Sequence, residues 1–191
     1  MIYELPYLPD ILEDVVARVN TVFSTRLVDP FNVYFDYGLQ NDVTRNIYKK
    51  ETSTAIPIPG TFPLVWLVMN YSELRGKKID KYADSSTSLI IGMPTKTEYT
   101  MRQRTDNSFK PRLFPIYQEI LIQLSLEDWF NRPEIEKIEH TKIDLPYWGC
   151  GDANGQNTEN LFKNFIDAVQ IKDLKLEIEN IQNCKPFSNF S

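Results

Sequence analysis

The residues best suited to acid–base or metal chemistry lie in one short stretch, which holds Glu134, Glu136, Glu139 and the only histidine of the chain, His140. Carboxylates and an imidazole are ligand types that bind zinc and transition metals. The glutamates, however, are interleaved with isoleucines. This pattern is more typical of an exposed, charged segment that leads into the next secondary-structure element. Any histidine-dependent nucleophile or zinc site depends on His140 alone, so we expect no metal here.

Other candidate motifs are weaker. Asp152–Gly155 begins like a calcium loop, but its glycine falls in the wrong place and no closing glutamate follows at the required spacing, so a polar turn is expected. Nucleophile-elbow, Walker and dinucleotide-binding patterns are absent from the sequence. Cys150 and Cys184 have the spacing of neither a redox pair nor a zinc knuckle, and we expect free thiols. The sequence therefore predicts no catalytic residue, no cofactor and no metal, and hence not an enzyme.

A basic segment, Lys96–Arg112, suggests nucleic-acid binding because its cations alternate with Tyr99 and Phe109. No nucleic-acid-binding motif frames this segment, and the formal net charge of the chain is −5. We therefore interpret it as a linker between the third strand and the second helix. Because Phe62–Met69, the longest apolar stretch, is far too short to span a bilayer, no membrane is expected as a partner.

Two segments have the apolar spacing of amphipathic helices. In the first, Asp10–Phe23, apolar residues recur every three or four positions, and charged residues occupy the opposite side. Asp10 is a suitable N-cap, with Glu13 three residues later as in a capping box. The second helix, Pro111–Leu124, begins near prolines that a first turn tolerates. Neither helix has a basic polar face, so we expect both to pack on a core.

Four further segments have the alternating or continuously apolar character of strands. They are Asn32–Tyr37, Leu64–Met69, Ser88–Met93 and Val169–Ile178. In the last of them the alternation changes phase, which predicts a bulge or tight turn near Lys172 and Asp173. The order helix, strand, strand, strand, helix, strand predicts one α+β domain over residues 1–191, with a mainly antiparallel sheet and both helices on one face.

The connection between the first two strands, residues 39–62, is longer than the two to five residues or so of an ordinary hairpin. One interpretation is a long hairpin loop folded over its own domain. The other, which we favour, is an arm that reaches a neighbouring molecule, because a long apolar loop in so small a domain usually has a partner. A second, polar connection is expected over Ser72–Thr87. The predicted interface consists of the apolar residues and prolines of the arm, namely Ile47, Tyr48, Ile56, Pro57, Ile58 and Pro59.

Charge is distributed unevenly along the chain. Residues 42–112 contain 12 Lys and Arg against 7 Asp and Glu, a balance of +5. The remaining residues contain 9 basic against 19 acidic side chains, a balance of −10. Such a division allows one face of a subunit to meet the opposite face of the next. The division is equally consistent with charged side chains that lie in solvent and have no role in contacts, since neighbours in sequence are not always neighbours in space.

Five short segments, in this order, resemble a family of small proteins from tailed phages and prophages of Bacteroides-type hosts. The chain is similar to ring proteins in the neck or tail of crAss-like phages, although it has Leu39 where related sequences tend to have a histidine. The segments are residues 33–38 (VYFDYG), 62–67 (FPLVWL), 109–117 (FKPRLFPIY), 140–149 (HTKIDLPYWG) and 165–171 (FIDAVQI).

The resemblance implies a fold similar to tail-terminator and head–tail joining proteins. It further implies a closed homo-oligomeric ring in the virion, stacked between the portal and the tail tube around the DNA channel. Its expected partners are adjacent portal, neck or tail proteins, with non-specific proximity to DNA in the channel. Assembly is expected in the host cytoplasm, and His140 is expected to have a structural, hydrogen-bonded role. The alternative hypothesis is a soluble cytoplasmic binding domain or an enzyme whose catalytic carboxylates the sequence does not identify.

Overall fold

The computed structural model describes residues 7–27, 29–39, 42–43, 62–69, 71–75, 81–130, 133–148 and 165–179. The described chain combines helices with a six-stranded sheet and is an α+β protein, as predicted. In chain order the elements are α1 (Leu8–Arg26), β1 (Tyr34–Gly38), β2 (Leu64–Val68), β3 (Ser72–Arg75), β4 (Lys81–Pro94), α2 (Met101–Arg104), a π-helical segment (Thr105–Leu113), α3 (Phe114–Leu126), a 3₁₀ turn (Ile135–Lys137), β5 (Thr141–Trp148) and β6 (Ile166–Glu179).

Helix α1 buries the apolar stripe that its spacing predicts, from Leu8 to Phe23. Its start differs from the prediction. The helix begins at Leu8 with Pro9 in its first turn, where the missing amide hydrogen of proline costs nothing. Asp10 is therefore not the N-cap but lies inside the first turn, where a carboxylate still interacts favourably with the helix dipole.

The second helical region begins ten residues before the predicted Pro111. Thr100 and Gln103 form a capping box at the start of α2, and the chain then continues through the π-helical segment into α3. Pro111 has no amide hydrogen to donate, and the wider π-helical turn accommodates it without ending the helix. Most of the expected linker is thus helical. None of the helices in the described ranges is long and apolar enough to cross a membrane.

The sheet has the strand order β1-β2-β4-β6-β5, and β3 also pairs with β4. Every pairing is antiparallel except that of β1 with β2, which is parallel with Tyr34 opposite Leu64. A parallel pair needs a crossover of about a dozen residues or more, whereas a hairpin needs only a few. The hairpin interpretation of residues 39–62 is therefore wrong, and their length is explained by the pairing alone.

The phase change in the last strand has the predicted cause. Thr87 pairs with Leu174 and Leu89 with Ile171, so that two residues of β6 oppose the one residue between them on β4. The two opposing residues are Lys172 and Asp173, and Asp173 has a left-handed φ of 54°. This β-bulge keeps the apolar residues on both sides of it on the same face of the sheet.

The two faces of the sheet are covered differently. The helix face packs against α1 and α3, and both helices lie on this side, as predicted. Its buried apolar strand residues are Val65, Leu67, Ala83, Leu89, Ile91, Val169, Ile171, Leu174, Leu176 and Ile178. On the second face a smaller cluster surrounds Trp66, which is only 2% exposed and contacts Trp148 with ring centroids 5.6 Å apart. The other buried members of this cluster are Val43, Leu64, Ile90, Ile166 and Ala168.

Candidate functional site

A fully buried ion pair joins α2 to the start of β6. Arg104 Nη1 lies 2.7 Å from Asp167 Oδ1, and neither side chain has any exposed surface. The guanidinium also donates to the carbonyl oxygens of Lys96 and Tyr99 and to Thr95 Oγ1, at 2.8–3.2 Å. Because an unpaired charge at this depth costs several kcal/mol, these contacts hold the turn at residues 95–100 against the sheet.

Tyr147 covers this ion pair. The centroid of its ring lies 3.4 Å from the Arg104 guanidinium carbon, and its hydroxyl donates to the Thr97 carbonyl oxygen at 3.0 Å. The residue has a left-handed φ of 55°, a conformation that a non-glycine residue adopts only when its surroundings hold it there. Asp167 Oδ2 is buried and has no hydrogen-bond partner among the described residues. Because no substrate can reach a pair without exposed surface, the arrangement is structural.

Three cations of the basic segment have carboxylate partners. Arg104, one of its cations, is the buried partner of Asp167. Arg112 pairs with Asp29 at 2.7 Å, and Lys110 pairs with Asp106 at 3.3 Å. Nucleic-acid binding needs cations that are available to phosphates, and here three of the candidate cations already have a carboxylate partner. The geometry therefore gives the nucleic-acid hypothesis no support.

His140 is hydrogen-bonded, as predicted, and its partners are Ile138 and Tyr117. Its Nδ1 lies 2.8 Å from the Ile138 carbonyl oxygen, which only accepts, so Nδ1 carries the proton. Nε2 then accepts from the Tyr117 hydroxyl of α3 at 2.7 Å. Burial, and secondly the charge of Asp144, raise the pKa of the Tyr117 hydroxyl above its ordinary 10.0, so that it stays protonated and donates. The hydrogen bond between Tyr117 and His140 therefore holds the residues just before β5 against α3.

A third polar network joins α1 to α3. Arg18 of α1 contacts Glu127 and lies 3.3 Å from Gln123 Oε1, while Gln123 donates to Glu119 at 2.7 Å. Both glutamates are almost completely buried, at 9% and 7% exposure. Carboxylates in such surroundings are candidates for acid–base chemistry, but Glu127 contacts Arg18 of α1 and Glu119 accepts from Gln123 within α3. Sequence spacing missed this network because its partners lie more than 100 positions apart.

A groove of about 940 Å³ lies at the end of the sheet remote from Trp66, and its lining includes Ile138 and Leu176 of the helix-face cluster as well as residues of the second face. Two cross-strand rows contribute to it: Leu74, Asp84 and Glu177 in one, and Ser72, Ser86 and Lys175 in the other. The 133–139 segment adds Glu134 and Glu139, so the wall contains five carboxylates, with Glu73 among them, and two lysines. We call this feature the acidic groove. Sequence reasoning missed it because it treated Ser72–Thr87 as a connection.

The remaining sequence candidates form no metal site in the described part of the chain. No three side chains of His, Cys, Asp or Glu are grouped there to hold a metal ion, and this includes the glutamates near His140. The calcium-like turn, both cysteines and the predicted interface residues lie outside the described residues. Those interface residues are Ile47, Tyr48, Ile56, Pro57, Ile58 and Pro59.

No protein-family model matches the chain, and a search of curated proteins returned no match.

Proposed function

We propose that the chain is a structural subunit that forms a ring in the neck or tail of a tailed bacteriophage. The observation that carries this proposal is the location of the five resembling segments. They fall on β1, β2, the helical region, β5 and β6, the elements that build and cover the sheet. The resemblance therefore concerns the framework of the molecule, and a ring subunit is the function that this framework implies in the resembling family.

The use of the polar side chains supports a structural role. Arg104 and Asp167 hold a turn, Glu127 joins α3 to Arg18 of α1, and His140 holds the residues before β5 against α3. An active site instead needs a pair of tuned groups beside a space for substrate. The buried charges hold elements of the fold against one another. Such rigidity suits a subunit that keeps its shape within an assembly.

Contacts between copies are expected to use side chains and segments rather than extension of the sheet. At β1, the end of the strand order, the Tyr37 amide already donates to Asp36 Oδ1 at 2.8 Å. At the opposite end β5 contains Pro146, which has no amide hydrogen. Both features make an edge a poor template for another strand.

The arm, residues 39–62, is our proposed contact with a neighbouring subunit or an adjacent ring. Its length no longer argues for this role, because the parallel pairing of β1 with β2 requires a crossover. The argument rests on composition: apolar residues left in water cost roughly 25 cal/mol per Å², and Pro57 and Pro59 lower the entropy lost on docking.

Light scattering and electron microscopy of the purified chain test the proposal. We expect a concentration-dependent closed ring of uniform diameter. A monomer at every concentration, also in the presence of neighbouring virion proteins, would instead favour the alternative of a binding domain or enzyme.

The arm is tested by replacing residues 44–61 with a Gly/Ser linker of equal length, because a short turn cannot join parallel strands. The altered chain is expected to keep its circular-dichroism spectrum and its cooperative unfolding but not to assemble. Normal assembly, or loss of the folded monomer, would refute the arm.

A further inference from the structure

Three aromatic side chains form an exposed patch on the helix face, beside β1 at one end of the strand order. Phe35 and Tyr37 of β1 lie opposite Val65 and Leu67, which both belong to the helix-face core. The ring centroids of Phe35 and Tyr37 are 6.3 Å apart, and Tyr7, just before α1, meets Tyr37 edge-on at 6.4 Å. Tyr7 and Tyr37 are 43% and 44% exposed. We call Tyr7, Phe35 and Tyr37 the aromatic patch.

Exposed tyrosine rings in mutual contact suit one class of ligand in particular. Their flat faces pack against proline rings, and tyrosine hydroxyls can donate to the backbone carbonyl oxygens that a polyproline II helix leaves without an internal partner. Aromatic-lined surfaces bind proline-rich segments in this way, and such a segment loses little entropy because it is extended before it binds. The patch is therefore suited to an uncharged segment with closely spaced prolines.

The chain itself contains a segment of this chemistry. Residues 55–60 have the sequence AIPIPG, without a charged residue, and belong to the arm. Nowhere else in the sequence are two prolines separated by a single residue. Pro57 and Pro59 restrict their own φ angles, and each follows an isoleucine that the proline restricts to extended conformations. Ile56, Pro57, Ile58 and Pro59 all belong to the predicted interface.

The arm of the same copy is poorly placed to cover the patch. Val43 and Phe62, described residues near the two ends of the arm, both pack in the apolar cluster of the second face, whereas the aromatic patch lies on the helix face. Tyr37 lies opposite Leu67, five residues beyond Phe62 and therefore about 16 Å along the strand. Pro59 is three residues from Phe62, a span of at most about 11 Å. An arm from another copy has no such limit.

We propose that the aromatic patch of one subunit receives residues 56–59 from the arm of a second copy of the chain. This inference rests on the proposed arm and names the surface on which the arm docks. The proline rings stack on Tyr7 and Tyr37, and the isoleucines cover the apolar surface beside Phe35. Because the arm and the patch are different surfaces, the contact is head-to-tail, the kind of interface from which rings are built.

Paired substitutions in the full chain test the docking surface. The patch variant combines Tyr7→Ser with Tyr37→Ser, and the arm variant combines Pro57→Gly with Pro59→Gly. Each should weaken self-association on the order of 100-fold, with a cooperative thermal unfolding transition like that of wild type. The control variant, Met101→Ser with Leu126→Ser, removes two apolar side chains of α2 and α3 that are more exposed than the tyrosines, and it should assemble like wild type.

Mixing the two variants identifies the occupant as a second copy. The patch variant keeps an intact arm and the arm variant keeps an intact patch, so one contact can form in the mixture but cannot be extended. Sedimentation velocity should therefore show a one-to-one complex that neither variant forms alone. Absence of this complex, or an equal loss of association in the control variant, would overturn the proposal. A ring formed equally well by wild type and the patch variant would also overturn it, but would leave the proposed function standing.

A peptide experiment does not depend on assembly. A fluorescent peptide of residues 53–61 should bind the arm variant, whose own arm cannot compete for the patch, and should not bind the patch variant, as measured by anisotropy. The control is the same peptide with both prolines replaced by alanine, which should bind more weakly by on the order of tenfold. Absence of binding to the arm variant, or equal binding of the two peptides, would refute the docking site whether or not the wild-type chain forms a ring.

Discussion

The two faces of the sheet differ in how far their apolar surface extends. On the helix face, buried apolar residues continue along β4 and β6 from Ile91 and Val169 to Ala83 and Ile178. On the second face the apolar cluster around Trp66 gives way, along the same two strands, to polar residues, where Asp84 lies opposite Glu177 and Ser86 opposite Lys175. The same strands therefore serve one continuous core on one side and two different surfaces on the other.

This difference separates the residues that fold the domain from those available for contacts. Burial against two helices stabilises the helix face along its whole length, so substitutions there act on folding. At the groove end of the second face, charged side chains retain much of their solvent contact and contribute little to stability. Substitutions there are expected to leave the fold intact.

The largest expected effect is at Trp66. Trp66→Ala should lower the free energy of unfolding by about 3–5 kcal/mol, because a large side chain that is 2% exposed leaves a cavity. Chemical denaturation of both proteins measures the change. A loss below about 1 kcal/mol would mean that the cluster on the second face adds little to the stability of the fold.

The next largest effect is expected at the buried ion pair of Arg104 with Asp167. Asp167→Asn should cost about 1.5–3 kcal/mol, because the buried Arg104 guanidinium loses its counter-charge but keeps a neutral acceptor. The control is the double variant Arg104→Met with Asp167→Leu, which removes both charges and should recover much of the loss. Equal stability of wild type and Asp167→Asn would show that the pair is not buried in solution.

A smaller effect is expected where α3 meets the approach to β5. Tyr117→Phe removes the hydrogen bond to His140 Nε2 and should cost about 0.5–1.5 kcal/mol. Because His140 is the only histidine, its imidazole signals in an NMR spectrum need no assignment. They should shift in the variant, and unchanged signals would exclude the hydrogen bond.

The smallest effect lies at the exposed edge of the acidic groove. The hydrogen bond and charge of Lys175 lower the pKa of Glu139 below its ordinary 4.5, and the same contact raises the pKa of Lys175. The contribution of the pair to stability is therefore present at neutral pH. It is lost in acid as the pH falls through the lowered pKa of Glu139, and in base as the pH rises through the raised pKa of Lys175.

Carboxyl NMR titration measures this pair directly. Lys175→Met should return the pKa of Glu139 towards 4.5 with little change in thermal stability, because both side chains are mostly exposed. A pKa that does not move would show that solvent screens the contact completely.

Local periodicity was sufficient for the buried elements. It predicted α1, both apolar strands β2 and β4, the fold class and the bulge at Lys172 and Asp173, because buried faces impose a strict spacing. It missed β5, whose residues are mostly exposed or half-buried at the end of the sheet. It also missed β3 and the first half of β4, because their second-face residues are polar.

The candidate site was less predictable than the fold. The contact of Arg104 with Asp167 joins residues 63 positions apart, and no local pattern indicates it. The groove depends on which residues lie opposite each other on β3, β4 and β6, which requires the strand pairing. The parallel pairing of β1 with β2 was missed for the same reason.

The proposed ring is tested by a reconstruction of the phage particle by electron cryomicroscopy. We expect a ring in the neck or tail whose repeating density fits the six-stranded sheet with its helices. At each boundary between copies, density for residues 39–62 should reach a neighbouring subunit or an adjacent ring. Absence of the chain from the particle, or its presence there as an isolated copy outside any ring, would refute the proposed function.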